Sequence, residues 1–307
     1  MFTFFNTVAL NFFPQKNQIS FQHPATTMME GIIDLHHDIF SFLIIIIVFV
    51  SLMLLSILIS SLQKKPESLP FMQFHTGHGI THHTLLETVW TAIPTVVLLF
   101  ISIPSFALIY ALDEIVEPQL TVRVVGRQWY WTYEFPDTLN IEYQGVGNNP
   151  MWGAKIPGFS FDSYIVNTED LPLGSMRLLE VNRRLVLPQN TNIRLLITSY
   201  DVLHSWAVPA FGVKVDAVPG RLNEYFVNLD YLGTFYGQCS EICGVNHGFM
   251  PIKVDVVTLE DFRLWFVLTS VLENKSVSFN QTFSFENSGE EVVGLRELTQ
   301  MLESRNA

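Results

Sequence analysis

At 307 residues, with 49% hydrophobic and 15% charged side chains and a mean hydropathy of +0.29, the chain is too apolar for an ordinary soluble globule. Its net charge of −12 argues against a nucleic-acid partner, whose phosphates it would repel.

Residues 1–38 open with MFTFFNTVALNFFPQKNQ, which has no basic start and no Arg, so no cleaved leader is expected and the segment is read as lying on the outer face. Residues 39–63 contain no ionisable side chain from Ile39 to Gln63, a run longer than the roughly 20 residues that cross a bilayer core, and are expected to form a first membrane helix. The loop 64–86 begins with Lys64 and Lys65 and carries His75, His78, His82 and His83; without cysteines or carboxylates at ligand spacing, these histidines are read as non-ligating. Residues 87–112 are expected to form the second membrane helix, its Pro94 and Pro104 tolerable because neighbouring helices satisfy the freed backbone groups. Short loops rich in Lys and Arg stay on the side of insertion, so Lys64 and Lys65 place the loop inside and both termini outside. Glu87 borders the second helix, a functional candidate by position, with interfacial snorkelling as the alternative.

Residues 113–272 change character. LTVRVV, WYWTYEF, RLVLP, IRLLITS, EYFVNL, TFYGQ and PIKVDVV read as strands of a sandwich or barrel, interrupted by the loop EYQGVGNNPMWGAKIPGF. LEDFRLWFVLTSVLE then reads as a helix, and the extension 273–307 includes a short amphipathic helix to which no chemistry is assigned. From Asp113 onward there are 24 acidic residues against 14 basic ones, a net charge of −10 that attracts basic partners.

The chemistry is concentrated in GQCSEICGVNHGFMP, which places both cysteines of the chain, Cys239 and Cys243, beside His247 and Met250. Thiolate, imidazole and thioether together suit copper, and two thiolates can bridge two copper ions. A disulfide between the cysteines and a zinc site are the other readings; the first leaves His247 and Met250 without a role, and zinc has no use for a thioether. His204 in SYDVLHSWAVP is the only further histidine after the second helix and is therefore the candidate second imidazole.

HSWAVP and GQCSEICGVNHGFMP, preceded by GRQWYWTYEF and followed in one case by VDAVPGRLNE, resemble subunit II of the respiratory cytochrome c oxidases of the haem-copper family. The resemblance implies a two-helix transmembrane hairpin carrying an all-β cupredoxin-like barrel. It implies a binuclear copper centre, CuA, on His204, Cys239, the Glu241 backbone carbonyl, Cys243, His247 and Met250, and a Mg2+ ion shared between the Glu241 side chain and subunit I. It further implies Trp129 as the residue receiving electrons from cytochrome c and Glu87 at the mouth of a proton channel, in a complex with subunits I and III that reduces oxygen and pumps protons. The expected location is the mitochondrial inner membrane, with both termini and the copper domain in the intermembrane space; a bacterial plasma membrane is the alternative. A quinol-oxidising relative would lack the copper ligands, and a non-redox membrane interaction protein would hold its β-domain by a disulfide. Arg127 stands where the family often has His, Tyr200 where an acid often precedes Asp201, and about 143–157 is an insertion. The acids nearest the motifs, Asp201, Asp137 and Glu142, are the candidate docking carboxylates.

Overall fold

The computed structural model describes residues 13–62, 82–114, 117–136 and 157–273. Lys64, Lys65, His75 and His78, the inserted stretch up to residue 156 with Asp137 and Glu142, and the tail from residue 274 lie outside the described residues. The chain divides into two compact units, one of residues 1–136 and 160–265, the other of 137–159 and 266–307.

In the first unit, helix α1 (Thr27–Leu62) starts well upstream of the uncharged run. Its start is set by Thr26, whose hydroxyl accepts the Met29 amide at 3.0 Å, while Glu30 in the first turn complements the helix dipole. The same hydroxyl donates to the Phe211 carbonyl at 2.8 Å, and Ala25 N–H donates to Ala210 O at 2.8 Å, so the helix is joined to the β-domain at its first residue. Gly212, at φ +70°, makes the approach feasible: a Cβ there would sit 3.1 Å from the Met29 Cα.

Helix α2 (Thr84–Leu112) is capped by His83, whose ring accepts the Leu86 amide at 3.1 Å, and Glu87 answers by accepting the His83 amide at 3.3 Å. None of its residues is buried, and α1 likewise leaves Ile45, Phe49, Leu54 and Ile57 more than 60% exposed. Faces this apolar and this bare fit lipid or other membrane helices, as two spans long enough to cross a bilayer require.

Among the described residues, ten strands make two five-stranded sheets. β1 (Leu120–Arg127), β2 (Tyr130–Phe135), β3 (Phe159–Ser163), β5 (Ile193–Ser199) and β8 (Asn223–Val227) form one, in the order β3-β2-β1-β5-β8. β4 (Leu185–Pro188), β6 (His204–Val208), β7 (Val213–Ala217), β9 (Gly233–Cys239) and β10 (Pro251–Val257) form the other, in the order β4-β10-β9-β6-β7. The parallel pairs β1/β5 and β10/β4 mark the crossovers of the expected cupredoxin-like topology. Alternation along β5 points Ile193, Leu195 and Ile197 inward, and they are fully buried, as are Trp206, Phe235, Ile252 and Val254 of the second sheet. A hydrogen bond crosses this core from Trp206 Nε1 to Tyr133 Oη at 3.3 Å, and burial holds the Tyr133 phenol well above its ordinary range. On β10, Lys253 is nearly buried and pairs with Glu180, beside an Arg184–Asp255 pair at 3.0 Å.

Helix α3 (Leu259–Glu273) follows β10, its start fixed by Thr258, whose hydroxyl accepts the Asp261 amide at 3.2 Å. Phe262 and Trp265 lay their rings 6.5 and 5.6 Å from Phe135. In the second unit the Phe159 and Phe266 rings pack tilted at 56°, centroids 5.0 Å apart, and the Ser270 hydroxyl donates to the Pro157 carbonyl at 2.6 Å.

The strands β3, β6 and β7 were not among those expected. β6 is buried along its whole length and so shows no alternation, and β3 emerges directly from a Pro-Gly loop.

Candidate metal centre

His204 opens β6, Cys239 closes the antiparallel β9, and Cys243, His247 and Met250 lie on the short connection from β9 to β10. Chain reversal between two adjacent strands therefore gathers the sulfur and nitrogen atoms at one end of the second sheet. The ligand atoms of His204, Cys239 and Cys243 lie within 4.8 Å of one another, all three residues buried. Cys243 Sγ is 3.6 Å from His247 Nδ1 and 3.6 Å from Met250 Sδ, and Cys239 Sγ is 3.4 Å from the Glu241 carbonyl oxygen.

The cysteines are free, with their sulfurs 3.9 Å apart, which overturns the disulfide reading. That separation is shorter than two metal–thiolate bonds of about 2.3 Å laid end to end, so both sulfurs can reach a common ion. The thioether and the second imidazole complete a donor set of copper type rather than zinc type. A pair of copper ions fits these residues.

Electrostatics prepares the sulfurs. Burial opposes ionisation of Cys239, but hydrogen bonding to His204 and to the backbone outweighs it and brings the thiol down to about 7. Burial, reinforced by the charge of Cys239, pushes Cys243 up to about 12. Without metal, then, Cys239 ionises well before Cys243; binding cations requires and favours both thiolates.

His204 is oriented by Asp201, whose Oδ1 lies 2.8 Å from His204 Nε2. An ionised carboxylate only accepts, so Nε2 carries the hydrogen and Nδ1, 4.0 Å from Cys239 Sγ, keeps its lone pair toward the cluster. Burial works against a charged imidazole, yet the bonds to Cys239 and Asp201 raise its pKa overall. Burial likewise opposes ionisation of Asp201, which the hydrogen bonds from His204, Val202 and Gln128 overcome, lowering its pKa. Asp201, expected as a docking acid, accepts from His204 Nε2 and from the Gln128 and Val202 amides while remaining partly exposed. Gly126 and Gln128 were passed over by sequence reasoning: a Cβ at 126 would lie 2.9 Å from His204 Cδ2, and the Gln128 amide donates to the Cys243 carbonyl at 2.9 Å.

Trp129 is half-buried on the β1–β2 turn and donates its indole N–H to the Cys243 carbonyl at 3.2 Å. Trp131 is buried, donating to the Met250 carbonyl at 3.2 Å, with its ring edge-on to His204. Arg127 and Tyr200, two separate departures from the family pattern, stack on each other at 4.3 Å. Glu87 is far along the chain from this cluster and is occupied at the α2 N-terminus, accepting the His83 amide and lying 3.3 Å from His82 Nδ1.

Fold and site together define a membrane-anchored β-domain that presents two buried cysteines, a buried and a half-buried imidazole and a buried thioether for copper. Residues 120–257 match the family described as cytochrome C oxidase subunit II, periplasmic domain, and residues 14–108 match its transmembrane domain. Cytochrome c oxidase subunit 2 of Cyanidium caldarium is 47% identical over 264 residues, 86% of this chain and 95% of that one. The mitochondrial cytochrome c oxidase subunit 2 of Vigna unguiculata is 47% identical over 262 residues, covering 85% and 64%. Among solved structures, the periplasmic domain of subunit II of cytochrome oxidase of Bradyrhizobium japonicum is 39% identical, covering 54% of this chain and all of that one, with a TM-score of 0.41. The chain belongs to the cytochrome c oxidase subunit II family.

Proposed function

We propose that the chain is the electron-accepting subunit of a haem-copper oxidase, taking single electrons from cytochrome c and relaying them toward haem in subunit I, where oxygen is reduced to water and protons are pumped. The observation that carries this reading is the pair of free sulfurs 3.9 Å apart, flanked by His204, His247 and Met250. When bound there, a copper pair supplies one-electron redox chemistry shared over two metals. The residues do the rest: Cys239 and Cys243 provide the shared thiolates, His204 and His247 the imidazoles, Met250 the weak thioether, and the Glu241 carbonyl a further oxygen.

Trp129 presents a partly exposed ring one hydrogen bond from Cys243, which suits it to receive an electron from a haem edge docked on the turn. The Glu241 carboxylate offers one hard oxygen, and Mg2+, which keeps waters and accepts one or two carboxylates, would draw its other ligands from subunit I and solvent. Glu87, an ionisable group in the first turn of α2, is the candidate for the mouth of a proton channel. Lys64 and Lys65 between the spans support a topology with both termini and the β-domain in the intermembrane space of a mitochondrion, alongside subunits I and III.

Copper determination with electron spin resonance on the purified full chain, loaded under mildly reducing conditions, tests the reading. Two coppers sharing one unpaired electron are expected. A single copper would make it a mononuclear carrier, and none, with oxidised cysteines, would overturn it.

A further inference from the structure

Four hydrogen bonds link the β1–β2 turn, Asp201 and both halves of the cluster, and beyond the Trp129 contact electron transfer gives them no task. The Gln128 backbone N–H donates to Asp201 Oδ2 at 2.7 Å, and His204 Nε2 donates to Asp201 Oδ1 at 2.8 Å. The Gln128 side-chain amide donates to the Cys243 carbonyl at 2.9 Å, and the Trp129 indole donates to the same oxygen at 3.2 Å. A carbonyl has two lone pairs, and here both are used. Gly244 makes the double donation feasible: at φ +120° it turns the chain immediately after Cys243, and a Cβ would lie 3.1 Å from Trp129 Cζ2 and 3.4 Å from Gln128 Nε2.

His204 and Cys243 lie on different segments, one on a buried strand, the other on a connection whose neighbours Ile242 and Val245 are 72% and 88% exposed. Ligands on so exposed a connection need fixing from outside it. We infer that Gln128 and Asp201 are positioning residues, forming a clamp that runs from His204 through Asp201 and the Gln128 backbone to the Cys243 carbonyl and so sets one copper ligand against another. The inference rests on the copper reading above. The clamp presents the Nδ1 lone pair of His204 and the Cys243 sulfur at a fixed spacing before metal arrives. That holds the ligand shell still when the charge on the metals changes.

Gln128 is exposed, so Gln128→Met removes the side-chain donor without opening the core, while Asp201→Asn replaces an acceptor-only group by one that can donate to His204 Nε2. In the purified oxidase, release of copper to a copper(I) chelator is expected to quicken about tenfold in Gln128→Met and up to about a hundredfold in Asp201→Asn, the span known for partners of metal ligands. The spin-resonance hyperfine pattern should change in both, and in copper-stripped oxidase Cys243 should alkylate faster in Gln128→Met. Asp201→Glu, which restores two acceptor oxygens, should recover part of the copper retention. If Asp201→Asn does not assemble, Gln128→Met decides alone. Copper release, spectrum and alkylation all equal to those of the unchanged chain would overturn the clamp. Failure of the unchanged chain to hold a copper pair would instead overturn the function on which the clamp rests.

Discussion

Replacing Gly126 by Ala places one methyl group against the most constrained ligand. The new Cβ would lie 2.9 Å from His204 Cδ2 and 3.0 Å from both Cβ and Cγ of that side chain. Carbon atoms rest best about 3.5–4.0 Å apart, so the ring must retreat by about 0.5 Å or more. His204 is fully buried, bound to Asp201 at 2.8 Å and faced by Trp131, so the retreat displaces Nδ1 from the sulfurs. Overpacking of this kind costs about 1–3 kcal/mol, a fall in Tm of about 2–4 °C per kcal/mol for a chain of this size. Copper affinity should drop about 10- to 100-fold on top, removing about 1.4–2.7 kcal/mol of the stabilisation that bound copper adds. The assay is thermal unfolding of the purified chain with and without copper, together with competition against a chelator. Gly248→Ala, where an added Cβ meets nothing within 4 Å, serves as the control. A Gly126→Ala chain that binds copper as tightly as the unchanged one would refute the idea that packing against β1 sets the His204 ring. Gly237→Ala is a different lesion, its Cβ falling 2.0 Å from the Ala207 carbonyl oxygen, and should disrupt the β6–β9 pairing altogether.

Three further outcomes are expected. In the copper-free chain, Cys239, lowered to about 7, makes stability rise with pH from there up to the ordinary thiol range near 8.5, because the unfolded state then binds the extra proton. Above that range Cys243, raised to about 12, keeps a proton the unfolded state has lost, so stability falls; a Tm that climbs steadily from pH 7 to 11 would contradict this. Glu180→Gln strands the ammonium of Lys253, whose side chain is 10% exposed, and should cost about 3 kcal/mol, with much of the loss recovered in the Glu180→Leu, Lys253→Met double variant, as read by denaturant unfolding. Trp129→Phe should slow reduction by cytochrome c in stopped flow while copper content stays near two per chain; an unchanged rate would remove Trp129 from the route.

The ligands were legible because their chemistry is carried by residue type: Cys239, Cys243, His247 and Met250 announce a metal in a single short stretch. Their support was not, because Asp201, Gln128 and Gly126 are ordinary residues whose roles arise only when β1, the β1–β2 turn and the start of β6 come together. The same holds for Arg127 and Tyr200, which read as two unrelated departures yet stack as a cation on a ring. β7 could have been found, since Lys214 and Asp216 alternate with the buried Val213 and Ala217. β6 could not, because HSWAV is buried on both faces and offers no period to read. The two membrane helices were plain from their uncharged runs. The upstream start of α1 was hidden because Glu30, Asp34 and Asp38 mask a helix whose beginning depends on a threonine bonded to a distant carbonyl.

That threonine gives the molecule a keyed joint. With Thr26 bound at once to Met29 and Phe211, the phase of the helix is locked to the barrel from its first turn. Inserting one residue between Thr26 and the apolar run would swing every lipid-facing side chain by about 100° and move it about 1.5 Å along the axis. Lengthening or shortening this stretch is therefore accommodated in steps of about seven residues, two turns of helix, and the height of the sulfur cluster above the bilayer is quantised accordingly.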